Sequence, residues 1–235
     1  MNSVAGGGSF LSFPALVLAG VPLIPANATN NAAMWVGTFG SARGYWPDVA
    51  PHKRMLYTVG AVSSVGALIG AMLLLFTPAP AFDRLIPWLL LFATIVFAVS
   101  PYLRRLTSST ASEADGPRHS IATLVTQFLV AIYGGYFGAG MGILMLAVLS
   151  FSRLPSFNAT NGMKNLLAVV INGVALIPFL LAGIVDWRYA VPMAIAALLG
   201  GYLGAKFFRA VPGVVARAVV ILIGSSMTTI FFIRA

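Results

Sequence analysis

The feature that most constrains this chain is a succession of apolar runs. Each approaches or exceeds the roughly 20 residues that an α-helix needs to cross the hydrocarbon of a bilayer. They occupy 4–24, 27–46, 56–77, 85–104, 121–150, 159–183, 188–208 and 213–233. Lipid offers the backbone no hydrogen-bond partner, so spanning segments must be helices or a closed barrel. The runs lack the period-2 alternation of barrel strands. The expected fold is all-α, a polytopic membrane helix bundle of seven to eight spans in the cell (inner) membrane. With 59% hydrophobic and 8% charged residues, the chain has little water-facing surface to cover.

The net charge of +9 would suggest nucleic acid in a soluble protein. Here the Lys and Arg residues lie mainly between the apolar runs, where they set topology, so no nucleic acid partner is expected. If all eight segments cross, one side carries Arg43, Lys53, Arg54, Arg104, Arg105, Arg118, Arg188 and Arg234. The other carries Arg84, Arg153, Lys206 and Arg209. The first set is then cytoplasmic, with both termini. Met1 to Gly8 lacks a basic stretch, so no cleavable leader is expected.

An internal repeat organises the chain. Asn27-Ala28-Thr29-Asn30 recurs in the second half as Asn158-Ala159-Thr160-Asn161. Gly6-Gly7-Gly8 precedes the first copy and Gly138-Ala139-Gly140-Met141-Gly142 the second, with Pro25 and Pro155 just ahead of each. Gly66 and Gly70 have counterparts in Gly200 and Gly204. The order predicts a first repeat at 1–106, a polar linker at 107–120 and a second repeat at 121–235. The first repeat has only five residues ahead of its glycines, which predicts a short first helix or a start upstream. Transporters are often duplicated, with the binding site at the repeat interface.

At these motifs the chain resembles the TauE/SafE family of membrane proteins, some of which are called sulfite exporters. The resemblance rests on Gly6 to Ser9 and Pro14, on Ala26 to Asn30, on Gly135 to Gly142, and on Asn158 to Asn161 with Lys164 and Asn165. It implies a bundle of seven or eight helices that transports sulfite, sulfonates or related sulfur anions.

The candidate substrate site follows from residue chemistry. Glycines in quick succession, Gly7 and Gly8 or Gly138, Gly140 and Gly142, permit close packing or a break that exposes backbone N–H groups. Asn27, Thr29, Asn30, Asn158, Thr160 and Asn161 are expected to cap helices, and a helix start attracts anions. Lys164, at the start of an apolar run, either snorkels to the interface or supplies a counter-charge. Its slot in the first repeat holds Ala33. Asn165 lies on the same helix, with Asn172 two turns further on. The spacing of Gly66/Gly70 and Gly200/Gly204 predicts helix packing.

All five acids, Asp48, Asp83, Glu113, Asp115 and Asp186, fall in loops or at span ends. Proton relays and cation sites usually need a carboxylate inside the membrane, so a small anionic substrate is favoured. Cysteine is absent and the two histidines lie in polar stretches, so no catalytic site, metal or cofactor is expected. Alternating access is the expected mechanism. A non-transporting subunit or scaffold is the alternative, and homo-oligomerisation stays open.

Overall fold

The computed structural model describes residues 8–108, 120–152, 154–207 and 213–234, and these form helices without a strand. In order they are α1 (Ser9–Leu18), α2 (Leu23–Gly44), α3 (Trp46–Val49), a 3-10 turn (Ala50–His52), α4 (Lys53–Phe76) and α5 (Ala79–Ser108). The second half continues as α6 (Ile121–Tyr136), α7 (Met141–Ser150), α8 (Phe157–Leu181), α9 (Trp187–Phe207) and α10 (Gly213–Arg234). Three stretches, Trp46–Phe76, Ala79–Val99 and Phe157–Leu181, are long and apolar enough to cross a membrane. Leu73, Trp88, Ile195, Leu198 and Leu222 face outward. Phe10, Phe13, Leu74, Phe82, Ile86 and Phe179 fill one core, and Met145, Leu149, Met163, Leu167 and Ile171 another.

Two expected spans look different. The segment 4–24 contains a helix of only 10 residues, about 15 Å long. The segment 121–150 is broken after 16 residues, where Gly138 (φ 79°) and Gly140 (φ 74°) take left-handed backbone. Tyr133 closes the break by donating its hydroxyl to the Ala139 carbonyl at 2.6 Å.

The Asn-Ala-Thr-Asn motifs are not caps. Pro22 precedes α2 in extended backbone and the helix begins at Leu23, so Asn27 already lies in its second turn. In the second copy the cap is Ser156, whose Oγ accepts from the Ala159 N–H at 3.0 Å. The backbone N–H groups of the first motif are therefore inside a helix, unable to cradle an anion.

Neighbour contacts fix the helix directions. Asn31 meets Asn172, Trp35 donates to the Val169 carbonyl at 3.0 Å, and Tyr45 and Val49 lie against Gly162. So α2 and α8 run antiparallel. So do α5 and α10, where Trp88 meets Phe232 edge to face at 5.1 Å and Thr94 lies against Gly224. By contrast α4 and α6 are parallel. Gln127 donates to Ser63 at 3.1 Å, and further along Gly70 meets Ile132 and Tyr136. As the spacing predicts, Gly66 and Gly70 serve packing: a Cβ on Gly66 would sit 2.7 Å from the Phe128 carbonyl oxygen.

Asn27 donates to the Tyr136 carbonyl at 2.8 Å, and the Thr29 hydroxyl accepts from the Asp186 N–H at 2.9 Å. The end of α6 and the end of α8 thus both sit beside the start of α2. Both helices point the same way, and α7 carries the chain back between them. Hydropathy cannot see this reversal, because a run interrupted by two glycines stays apolar throughout.

Candidate functional site

A cavity of about 40 Å³ lies where α2, α8 and the α6–α7 break meet. From α2 it takes Asn30, Asn31, Met34 and Thr38; from α8 it takes Lys164, Asn165, Ala168 and Asn172. Phe137, Gly138, Met141 and Gly142 form the broken edge, and Ser9 closes it from α1. The four positions on α2 and the four on α8 have identical spacing, so every pair from Asn30/Lys164 to Thr38/Asn172 stands at one constant offset along the chain. Helix starts repeat that same offset: Leu23 and Phe157, Lys53 and Trp187, Ala79 and Gly213. The two walls are the same face of two matching helices laid antiparallel.

Seven of the thirteen lining residues carry polar side chains, and none is a carboxylate. Lys164 and Asn165 are each 2% exposed. Buried polar groups are normally hydrogen-bonded, yet the Nδ2 of Asn165 has no protein partner. Asn30 is held from α1: the single hydroxyl proton of Ser12 serves either its Oδ1 or the Gly8 carbonyl at 3.0 Å. Asn31 donates its Nδ2 to Asn172 Oδ1 at 3.3 Å, and its own Oδ1 is buried without a partner. One free amide donor, Asn165 Nδ2, and the ammonium of Lys164 therefore lie on the wall of a space of about three water-sized positions. That set can accept the oxygens of a small anion. Among the described residues, no three His, Asp or Glu side chains group as they would around a metal.

Of the residues singled out in the sequence, Asn30, Lys164, Asn165, Gly138 and Gly142 line this cavity. Asn27 and Thr29 are buried but spent elsewhere, on the end of α6 and the start of α9. Asn158 is exposed at the start of α8, and Thr160 donates to the Ser156 carbonyl at 3.1 Å. Asn161 is buried one turn from Lys164, off the cavity wall, with its Oδ1 unpartnered. Gly8 precedes α1 and Gly140 packs on Ala93 of α5. Gly7 lies outside the described residues.

Asn165 and Asn172 share the cavity, as their two-turn spacing predicts. Asn31, Met34 and Thr38 were missed. They follow Asn30 at the i+1, i+4 and i+8 positions that place residues on one helical face, so the signal was there to find. Lys164 matches Asn30 in the structure, not Ala33.

The sequence model of the sulfite exporter TauE/SafE family matches residues 1–229 of the chain. The chain belongs to the TauE/SafE family. It is 24% identical to a probable membrane transporter protein of Sinorhizobium, over 97% of this chain and 85% of that one. A Haemophilus influenzae protein of the same description is 26% identical, over 97% and 88%. The probable membrane transporter protein YfcA of Escherichia coli is 25% identical, over 97% and 83%. No solved structure matches. This TauE/SafE member is thus a membrane transporter protein, and its cavity is where a transported solute is to be sought.

Proposed function

We propose that the protein carries a small oxyanion, of the sulfite class, across the cell membrane by alternating access, with the cavity between α2 and α8 as its substrate site. The observation that carries this reading is the buried, carboxylate-free lining in which Lys164 and the unpartnered amide of Asn165 converge. A lysine inside a membrane helix is costly unless a partner or a solute compensates it. The space suits an anion of one central atom and its oxygens better than a long-chain sulfonate.

The halves are proposed to be inverted repeats, related by a two-fold axis in the membrane plane. Matching helices run antiparallel, and the exchange of partners follows the same symmetry: α2 packs on α9 while α4 packs on α8. Seven described helices, α2, α4, α5, α6, α8, α9 and α10, are read as crossing. The short helices α1 and α7 go part-way and return. Among the described residues, Arg43, Lys53, Arg54, Arg104, Arg105 and Lys206 then belong to one side, and Arg84, Arg188 and Arg234 to the other. The positive charge is concentrated at one end of the bundle. It makes the end of the bundle beside Lys53 cytoplasmic, with the C-terminus outside.

The deciding experiment is uptake of labelled sulfite, thiosulfate and sulfate into liposomes holding the purified protein, against protein-free liposomes. Saturable movement of at least one supports the reading; protein that moves none of them leaves the scaffold alternative standing.

A further inference from the structure

The two cavity walls leave opposite kinds of hydrogen-bonding atom unspent. Asn31 on α2 and Asn165 on α8 are equivalent positions, standing at the constant offset that relates the walls. Asn31 gives its Nδ2 to Asn172 Oδ1 at 3.3 Å, which leaves its own Oδ1 buried without a partner. The equivalent bond on the other diagonal would run from Asn165 to Thr38. It is not made: Thr38 donates its hydroxyl to the Met34 carbonyl at 2.6 Å, and Asn165 Nδ2 stays unpartnered. One wall therefore offers a spare acceptor and the other a spare donor. Each is costly until something matches it.

A bare oxyanion answers only half of this. Its oxygens accept from Asn165 and Lys164, but they turn nothing except lone pairs toward Asn31 Oδ1. From this we infer that the solute is bound as a singly protonated oxyanion, hydrogensulfite within the class named above. Its O–H donates to Asn31 Oδ1, and its other oxygens face Asn165 Nδ2 and Lys164. The inference rests on the anion-carrier reading above and deepens it. A site with a buried acceptor set for an O–H rejects the ion that lacks one, here by about 10- to 100-fold. The proton then travels on the solute. A lining without a carboxylate suits that, because no side chain has to take up the proton or pass it on.

Among the described lining residues, from α1, α2, the α6–α7 break and α8, Lys164 is the one titratable side chain. Behind the broken edge, Tyr133 keeps its hydroxyl on the Ala139 carbonyl. The start of α9 also packs on α2, but Asp186, Arg188 and Tyr189 stay off the lining. The Asp186 N–H goes to the Thr29 hydroxyl and its carboxylate accepts from the Arg188 N–H.

The test is isothermal titration of the purified full-length protein in detergent with sodium sulfite and with sodium sulfate. It runs from about one pH unit below the second pKa of sulfite, which lies close to neutral, to about one unit above it. Sulfite is expected to bind about tenfold more weakly at the upper limit, following its protonated fraction. Sulfate carries no proton in this range and is expected to bind about 10- to 100-fold more weakly than sulfite at the lower limit. The double variant Asn31→Leu/Asn172→Leu keeps Lys164 and removes both amide oxygens of this link, since Asn172 Oδ1 would otherwise be freed to take the same proton. Its sulfite affinity is expected to change by less than about twofold over the range. The parent's own titration decides the protonation state whether or not the variant folds. A level sulfite affinity in the parent, or sulfate bound as tightly as sulfite, overturns the protonated form and leaves the anion carrier standing. A parental slope in the folded double variant assigns the pH dependence to Lys164 and overturns the Asn31 contact. Protein that binds neither ion at any pH overturns the carrier reading instead.

Discussion

The side-chain amide of Asn31 on α2 reaches that of Asn172 on α8 at 3.3 Å, a direct link between the two halves of the chain on the cavity wall. The link is long, and the Oδ1 of Asn31 remains without a partner. Interhelical hydrogen bonds in membranes average about 0.6 kcal/mol, so this contact is a weak tie between the two helices. A double-mutant cycle with Asn31→Leu and Asn172→Leu, read by reversible denaturation in detergent, is expected to give a coupling of about 0.5–1 kcal/mol. A coupling near zero means that the two amides do not hold the halves together.

Among the described residues, Lys164 is the one cationic side chain on the cavity wall. Hydrogen bonds to charged groups contribute about 1.5–3 kcal/mol, so Lys164→Met is expected to weaken anion binding about 10- to 100-fold. Removing a buried ammonium does not empty the core, since Met occupies similar volume, so the variant should still fold. Sulfite titration by thermal shift, alongside expression level, separates the two effects. Unchanged affinity takes Lys164 out of the site.

Part of this arrangement is legible in the sequence and part is not. Helical membrane character and the packing role of Gly66 and Gly70 follow from residue type and spacing. The register of the site does not. It depends on where each helix begins, and Pro22 starts α2 four residues ahead of its motif whereas Ser156 caps α8 almost at its motif. That difference decides why Asn30 and Lys164, not Asn30 and Asn161, share the cavity. The direction of α7 is equally hidden, because hydropathy records apolar length without a sense of up or down.

The α4–α6 seam tests the packing argument. A Cβ on Gly66 would press on the Phe128 carbonyl oxygen at 2.7 Å, and backbone there cannot swing aside. Gly66→Ala is expected to destabilise by about 1–3 kcal/mol. Gly40, inside α2, has nothing within 4 Å of where an added methyl would stand. Gly40→Ala is expected to be neutral or to stabilise by about 0.5–1 kcal/mol through helix propensity. Equal effects at both sites would mean that close approach is not what the Gly66 position requires.

Tyr133 positions the broken edge of the cavity through its 2.6 Å bond to the Ala139 carbonyl. Tyr133→Phe keeps the ring packing and leaves that carbonyl unmatched, at a cost of about 1–3 kcal/mol. Because the bond lies between Gly138 and Gly140, the loss is expected to loosen the cavity edge more than the bundle. The readout is a higher sulfite concentration for half-maximal flux with little change in maximal rate. A fall in maximal rate alone would place the effect on the moving parts instead.

Sidedness separates the proposed inverted topology from a layout in which all eight apolar segments cross. In that layout the connection at 47–55 and the one at 184–187 would lie on the same side. The structure puts Tyr45 and Val49 beside Gly162 at one end of α8 and Asp186 beside Thr29 at the other. Single thiols at Ala50 and Ala182 in the cysteine-free chain therefore face opposite compartments. In intact cells an impermeant maleimide is expected to label Ala182→Cys and to reach Ala50→Cys only after permeabilisation, because the proposed orientation puts the basic end in the cytoplasm. Labelling of both from outside would restore the layout with eight crossing segments. Labelling of Ala50→Cys alone would keep the inverted fold and reverse its orientation in the membrane.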